Sequence, residues 1–268
     1  VEVSVRTQQH SVPSKLFKPM WLRSRESLTD NGVIYDPVAA AACQGCVLQP
    51  ECDWHNLDQT QLLYATLTHQ CDTIVKQFLA QHPTAWIINV GGGLDTRFYR
   101  LDNGRCRWLE VDVDETLLWR ERLFHTSERF RMVQGSVKQL DWLAQLAVPA
   151  GHPTMLICDQ ALLECTNQEI SAFCQHISRY FPQLEACLTL AGDKCHSRVG
   201  QKLGCEYYQH GFSDPRMAII RALPWACRVE EHSPLDKPCP RWRFWQRALA
   251  AMPRYRLRFT PIVLHLEL

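Results

Sequence analysis

Apolar residues recur at spacings of three and four over 37–42 and 61–80, the stripe of an amphipathic helix, so the first eighty residues (1–80) read as a helical lid. At residue 85 the pattern changes. Ala85-Trp86-Ile87-Ile88-Asn89-Val90 is a near-continuous apolar run that stops at three glycines, as expected of a parallel strand buried on both faces and ending in a tight turn. Downstream come a segment at 96–101, a strand at 107–113, a helix at 115–124 and a strand at 130–137. Another strand at 154–158, a helix at 168–181 and a strand at 185–191 follow. Strands alternating with helices predict an α/β, Rossmann-like sheet of five parallel strands with helices on both faces.

The last stretch reads differently. Prolines at 215, 224, 234, 238 and 240 punctuate a segment carrying Trp225, Trp242 and Trp245, before an alternating closing strand at 256–268. Tryptophans so placed are more often core packing than a recognition surface. No repeat or linker divides the chain, so 1–268 is expected to be one domain, with 81–268 as its core.

With 46% hydrophobic and 21% charged residues and a formal net charge of +1, the composition is that of a folded globular protein. It carries no electrostatic footprint of a nucleic-acid or anionic-membrane partner. Thirteen cysteines is an odd number, and Cys158 and Cys187 lie inside apolar runs, so the thiols read as small core residues. Residues 1–14 are polar with no apolar stretch of signal-peptide length, so the expected compartment is the reducing cytoplasm. Cys43, Cys46, Cys52 and His55 are ligand types that bind zinc, but the pairs stand closer than in zinc ribbons, and unligated thiols are the favoured reading. No metal is expected.

Chemistry concentrates at Asn89-Val90-Gly91-Gly92-Gly93-Leu94-Asp95-Thr96, followed by Glu110-Val111-Asp112 at the end of the next strand. Glycines at a strand's carboxyl end let the backbone turn sharply and let a ligand approach without meeting a Cβ. An acidic residue closing the neighbouring strand accepts hydrogen bonds from ribose hydroxyls. Asp112 is the candidate acceptor. A nicotinamide site shares these features, although its fingerprint wants a further glycine where this chain has Thr96.

The run from Asn89 through Gly-Leu-Asp-Thr-Arg-Phe-Tyr-Arg to Leu101, then Trp108-Leu109-Glu110-Val111-Asp112, resembles the leucine carboxyl methyltransferase family and its bacterial polyketide O-methyltransferase branch. Glu26-Ser27-Leu28, Tyr35-Asp36-Pro37, Gln139-Leu140-Asp141-Trp142 and Asp214-Pro215-Arg216 extend the resemblance over most of the chain. It implies a class I methyltransferase using S-adenosylmethionine, with Gly91, Gly93 and Asp95 in the glycine motif under the methionine moiety and Asp112 on the ribose. Ser136 and Val137 stand where the family has an Asp-Leu pair at the adenine. Asp159 replaces the family's glutamate after the fourth strand. A family arginine that pairs with the cofactor carboxylate falls near Thr66-Leu67-Thr68-His69, where there is none; Lys15, Arg23, Arg25 and His69 are candidate substitutes.

The segment Tyr207-Tyr208-Gln209-His210 lies where the family places its substrate cover, near 195–245, which makes His210 a candidate general base. The expected function is methyl transfer to a small-molecule hydroxyl or carboxylate. A protein C-terminal carboxyl methyltransferase and a binding protein without turnover are the alternatives.

Overall fold

A computed structural model describes residues 10–47, 56–146, 148–149, 151–236 and 239–268. Three helices come first: α1 (Ser14–Ser27), α2 (Pro37–Gln44) and α3 (Leu57–Gln81). Then β1 (Trp86–Val90), α4 (Arg97–Leu101), β2 (Arg107–Asp112), α5 (Asp114–Leu123), β3 (Phe130–Gln134), β4 (Thr154–Cys158), α6 (Asn167–Tyr180) and β5 (Glu185–Ala191) alternate. The chain continues through α7 (Arg198–Lys202), α8 (Pro215–Ala222), β6 (Arg228–His232), α9 (Phe244–Ala250), α10 (Pro253–Phe259) and β7 (Pro261–Glu267).

The strands form one seven-stranded sheet in the order β3-β2-β1-β4-β5-β7-β6. β1 to β5 are parallel; β7 runs antiparallel to both β5 and β6. The α/β reading of the sequence therefore holds, with two differences. β6 was not anticipated, because Arg228-Val229-Glu230-Glu231-His232 is an edge strand whose pattern is mostly polar. The closing segment is also not one strand from 256: Pro253 starts α10, and the strand begins at Pro261. Segment 96–101 contains the short helix α4.

Alternation along the buried strands sorts their side chains into two cores. Ile88, Val90, Leu109, Val111, Leu156, Leu188 and Leu264 pack with α6 and α8 on one face. Ile87, Trp108, Met155, Ile157, Cys187 and Val263 pack with α3 and Phe98 on the other. Cys71 of α3 meets Cys187 of β5 there, sulfur to sulfur at 3.1 Å, and every cysteine among the described residues is free. α3 is buried almost all round because the sheet holds one side and α1 the other. A further cluster of Phe17, Met20, Ala39 and Leu94 seats α1 and α2 over the turn that follows β1. Among the described residues no helix is long and apolar enough to cross a membrane.

Candidate functional site

Strand β1 lies between β2 and β4, so the chain leaves it toward one neighbour and later returns on the other side. The carboxyl ends of the strands open a crevice at that switch point. A cavity of about 560 Å³ occupies it, walled by the turns after β1, β2, β3 and β4 and roofed by Leu16 and Pro19 of α1.

Its floor is backbone. Gly91 and Gly93 have φ of +65° and +59°, the left-handed region that a Cβ makes costly. A Cβ on Gly91 would also collide with the side chain of Ala161. The turn is held from behind by Arg120 of α5, whose Nη1 donates to the carbonyls of Gly93 at 2.7 Å and Asp95 at 2.8 Å.

Asp112 stands beside this floor, its carboxylate accepting from the backbone N–H groups of Gly93 at 2.9 Å and Val113 at 2.8 Å. Burial pushes its pKa up, against those hydrogen bonds, which pull it down. Ser136 and Val137 close the cavity beyond Asp112. The Ser136 hydroxyl accepts from the N–H of Gln139 at 3.1 Å, which fixes the turn. Of the residues singled out in the sequence, Gly91, Gly93, Asp112, Ser136 and Val137 are thus brought to one cavity.

Three others are not. Asp95 points away from the cavity into a buried ionic cluster, 3.0 Å from Nη1 of Arg97 and 3.1 Å from Nη1 of Arg100. These cations, with Arg23, hold its carboxyl far below the usual range despite its burial. Asp159 belongs to the same cluster: it accepts from Nη2 of Arg97 at 2.6 Å and from the Thr189 hydroxyl at 2.8 Å, leaving Gln160 and Ala161 to face the cavity.

His210 is buried and structural. Its Nε2 accepts from the N–H of Ala191 at 2.9 Å, and its Nδ1 donates to the carbonyl of Cys165 at 3.0 Å. Both ring nitrogens are committed, burial pushes its pKa down, and it does not line the cavity.

The ionic cluster had no counterpart in the sequence reading. Arg97 and Arg100 on α4 bind Asp72 of α3 at 2.7 Å and 2.9 Å. Arg100 also reaches Asp36, the N-cap of α2, at 2.7 Å, and Arg23 of α1 joins Asp36 at 3.2 Å. Its signal was Asp72, a charge inside the otherwise apolar stripe of α3, since buried aspartates require cationic partners. The cluster ties the three N-terminal helices to the helix that follows the glycine turn.

At the place of the expected arginine, Leu67 is packed into the core. Of the candidate substitutes, Lys15 lines the cavity mouth and pairs with Glu164 at 2.6 Å; Arg25 pairs with Asp58 on the surface at 2.7 Å; His69 does not line the cavity. Arg23 lies just behind the wall, its Nη1 3.0 Å from the hydroxyl of Tyr64, a wall residue the sequence reading passed over.

Cys43 and Cys46 are half-buried; Cys46 donates to the carbonyl of Ala42, and burial pushes the Cys43 thiol up to about 11. Cys52 and His55 lie outside the described residues. Among the described residues the one grouping with metal-ligand spacing is Glu185, His265 and Glu267, away from the cavity.

Residues 18–158, just over half of the chain, match the family described as leucine carboxyl methyltransferase. The tetracenomycin polyketide synthesis O-methyltransferase TcmP of Streptomyces glaucescens is 34% identical over 169 residues, which span 60% of this chain and 61% of that enzyme. Among solved structures, a candidate methyltransferase from Thermobifida fusca superposes with a TM-score of 0.58 at 13% identity, covering 95% of this chain and 96% of that one. A DUF574 family protein from Streptomyces avermitilis superposes with a TM-score of 0.60 at 9% identity, covering 98% and 99%. At such identities the two structures show a shared fold.

Proposed function

The chain belongs to the leucine carboxyl methyltransferase family, and we propose that it is an S-adenosylmethionine-dependent O-methyltransferase acting on a small-molecule hydroxyl or carboxylate. The observation that carries this reading is the cavity at the switch point, with its left-handed glycine floor beside a strand-end carboxylate. These residues fit the cofactor. Gly91 and Gly93 leave room for its amino-acid end, Asp112 retains lone pairs to accept ribose hydroxyls, and Val137 with Ser136 offers an apolar and a polar edge for adenine. S-adenosylmethionine, when bound, supplies an electrophilic methyl group on a positively charged sulfur.

The chain's own work is then alignment and exclusion of water. Leu16 and Pro19 of α1 cover the floor, which supports the assignment of a helical lid within residues 1–80 of a single domain. Gln160, Ala161 and Glu164 form the wall after β4, where an acceptor would meet the methyl group. With His210 committed elsewhere, an acceptor oxygen already ionised near neutrality, a carboxylate or an acidic phenol, suits the site best because it needs no base. The similarity to an O-methyltransferase of polyketide synthesis supports a small-molecule acceptor. The test is transfer of labelled methyl from S-adenosylmethionine to a panel of aromatic hydroxy acids. Labelled ester or ether is the expected product. Tight binding of S-adenosylhomocysteine with no transfer to any of them would retire the acceptor class, and no binding would retire the reading.

A further inference from the structure

The cavity wall includes a side chain whose hydroxyl the site as described does not use. Tyr64 of α3 shares that wall with Gly91, Gly93 and Leu94. Its hydroxyl accepts from Nη1 of Arg23 at 3.0 Å, which leaves the phenolic proton to be donated, and none of the hydrogen bonds among the described residues uses it. Arg23 is itself fixed: Nε lies 3.2 Å from Asp36 and Nη2 donates to the carbonyl of Leu94 at 2.7 Å, so the guanidinium is anchored to both α2 and the glycine turn. Burial pushes the Tyr64 hydroxyl up to about 12, so it remains a proton donor throughout the neutral range.

The other cations at the cavity are already engaged by carboxylates. Lys15 pairs with Glu164 at 2.6 Å and Lys138 with Glu169 at 3.0 Å. A phenol polarised by a guanidinium behind it is a strong, directional donor to an anionic oxygen, because each hydrogen bond in such a chain strengthens the next. The amino-acid end of the proposed cofactor would lie over the same glycines.

We propose that Tyr64, backed by Arg23, is the anchor for a carboxylate in this cavity, with the α-carboxylate of the cofactor as the first candidate. The inference rests on the methyltransferase reading above and adds the residue that would hold the cofactor's charged end. A carboxylate-bearing acceptor is the other source of the same chemistry, and the two are separable by experiment.

The test is calorimetric titration of the wild-type chain and Tyr64→Phe, which removes only the hydroxyl, with two probes. S-adenosylhomocysteine carries the carboxylate; 5′-methylthioadenosine lacks the amino-acid moiety. The expected result is a loss of roughly tenfold in affinity for the first and none for the second, with an unfolding midpoint lower by only a few degrees, because Arg23 loses the acceptor of its Nη1. Unchanged affinity for both, with a raised KM for a carboxylate acceptor, would uphold the anchor and assign it to the acceptor. Equal losses for both probes, or no change in either affinity or KM, would overturn it. If the wild-type chain bound neither probe, the methyltransferase reading would fall first and the anchor with it.

Discussion

Replacing Arg97 by methionine keeps the length of a fully buried side chain and deletes the charge that three aspartates share. Arg97 binds Asp72 at 2.7 Å, Asp159 at 2.6 Å and Asp95 at 3.0 Å. Two of these keep another cation after the substitution: Asp72 and Asp95 still face Arg100 at 2.9 Å and 3.1 Å. Asp159 keeps the neutral Thr189 hydroxyl and Gln160 amide, with no second cation among its contacts. The cost therefore falls mainly on one stranded buried carboxylate, and truncating one partner of such a pair costs about 3–5 kcal/mol, a large share of a typical total stability of about 5–15 kcal/mol. The assay is urea unfolding followed by the fluorescence of the nine tryptophans. Arg97→Met should be destabilised by that amount at pH 7. The deficit should shrink as the pH falls, because the wild-type chain loses the benefit of its low-pKa aspartates Asp72 and Asp95 while the variant has less to lose. Adding Asp159→Asn should recover roughly 1–3 kcal/mol. A deficit below about 1 kcal/mol, or one that does not change with pH, would refute the assignment of this cluster as the clamp between the N-terminal helices and the glycine turn.

Asp112→Ala should weaken binding of S-adenosylhomocysteine about ten- to hundredfold by calorimetry, since it removes the ribose acceptor and releases the N–H of Gly93 that it holds; unchanged affinity would remove Asp112 from the site. Glu110 is buried among Asn89, Trp108 and Arg120, and burial raises its pKa to about 7. A raised carboxyl pKa stabilises the fold below about pH 4.5, and that contribution is lost as pH rises to about 7, roughly 3 kcal/mol in all. Unfolding free energies of Glu110→Gln at pH 5 and pH 8 should lack this dependence, and a slope matching the wild type would contradict it. His210→Ala should lower stability by about 2–4 kcal/mol, because it strands the N–H of Ala191 and the carbonyl of Cys165. Calorimetry on the folded variant should find S-adenosylhomocysteine affinity unchanged, and a large loss would return His210 to the site.

Much of the fold was legible because its strands are unusually plain. β4 and β5 are short apolar runs bounded by polar or turn residues, and the structure places both where the hydrophobic pattern did. β6 was hidden because an edge strand facing solvent needs no apolar face, and α10 because Arg256 to Phe259 alternate like a strand while Pro253 starts a helix. The site divides in the same way. Gly91, Gly93 and Asp112 announce themselves through local chemistry, since a turn that needs positive φ and a carboxylate closing a strand are both written in short stretches of sequence. Asp95 and Asp159 sit in equally local words, but what they touch is set by Arg97, whose partners come from segments far away in the chain. His210 illustrates the same limit: a histidine beside Gly211 looks exposed and available until the backbone groups of Ala191 and Cys165 close on both nitrogens.

The same physics sets the shape of the site. The N-terminal helices are not held to the core by the ligand cavity. Apolar packing seats α1 and α2 on Leu94 and α3 on the sheet, and buried charges behind the cavity fix their placement, with Asp36, Asp72 and Asp95 drawn to Arg23, Arg97 and Arg100. Because those pairs fix α1 and α3 against the glycine turn, a side chain projecting from either helix reaches the cavity from a constrained position. Leu67 can therefore join the core without disturbing the wall, and Tyr64, one turn earlier on α3, stands at that wall with Arg23 behind it. Substitutions at Tyr64 should therefore change what binds at a small cost in stability, the one acceptor of Arg23 Nη1, whereas substitutions at Arg97 should loosen the fold first and binding only as a consequence.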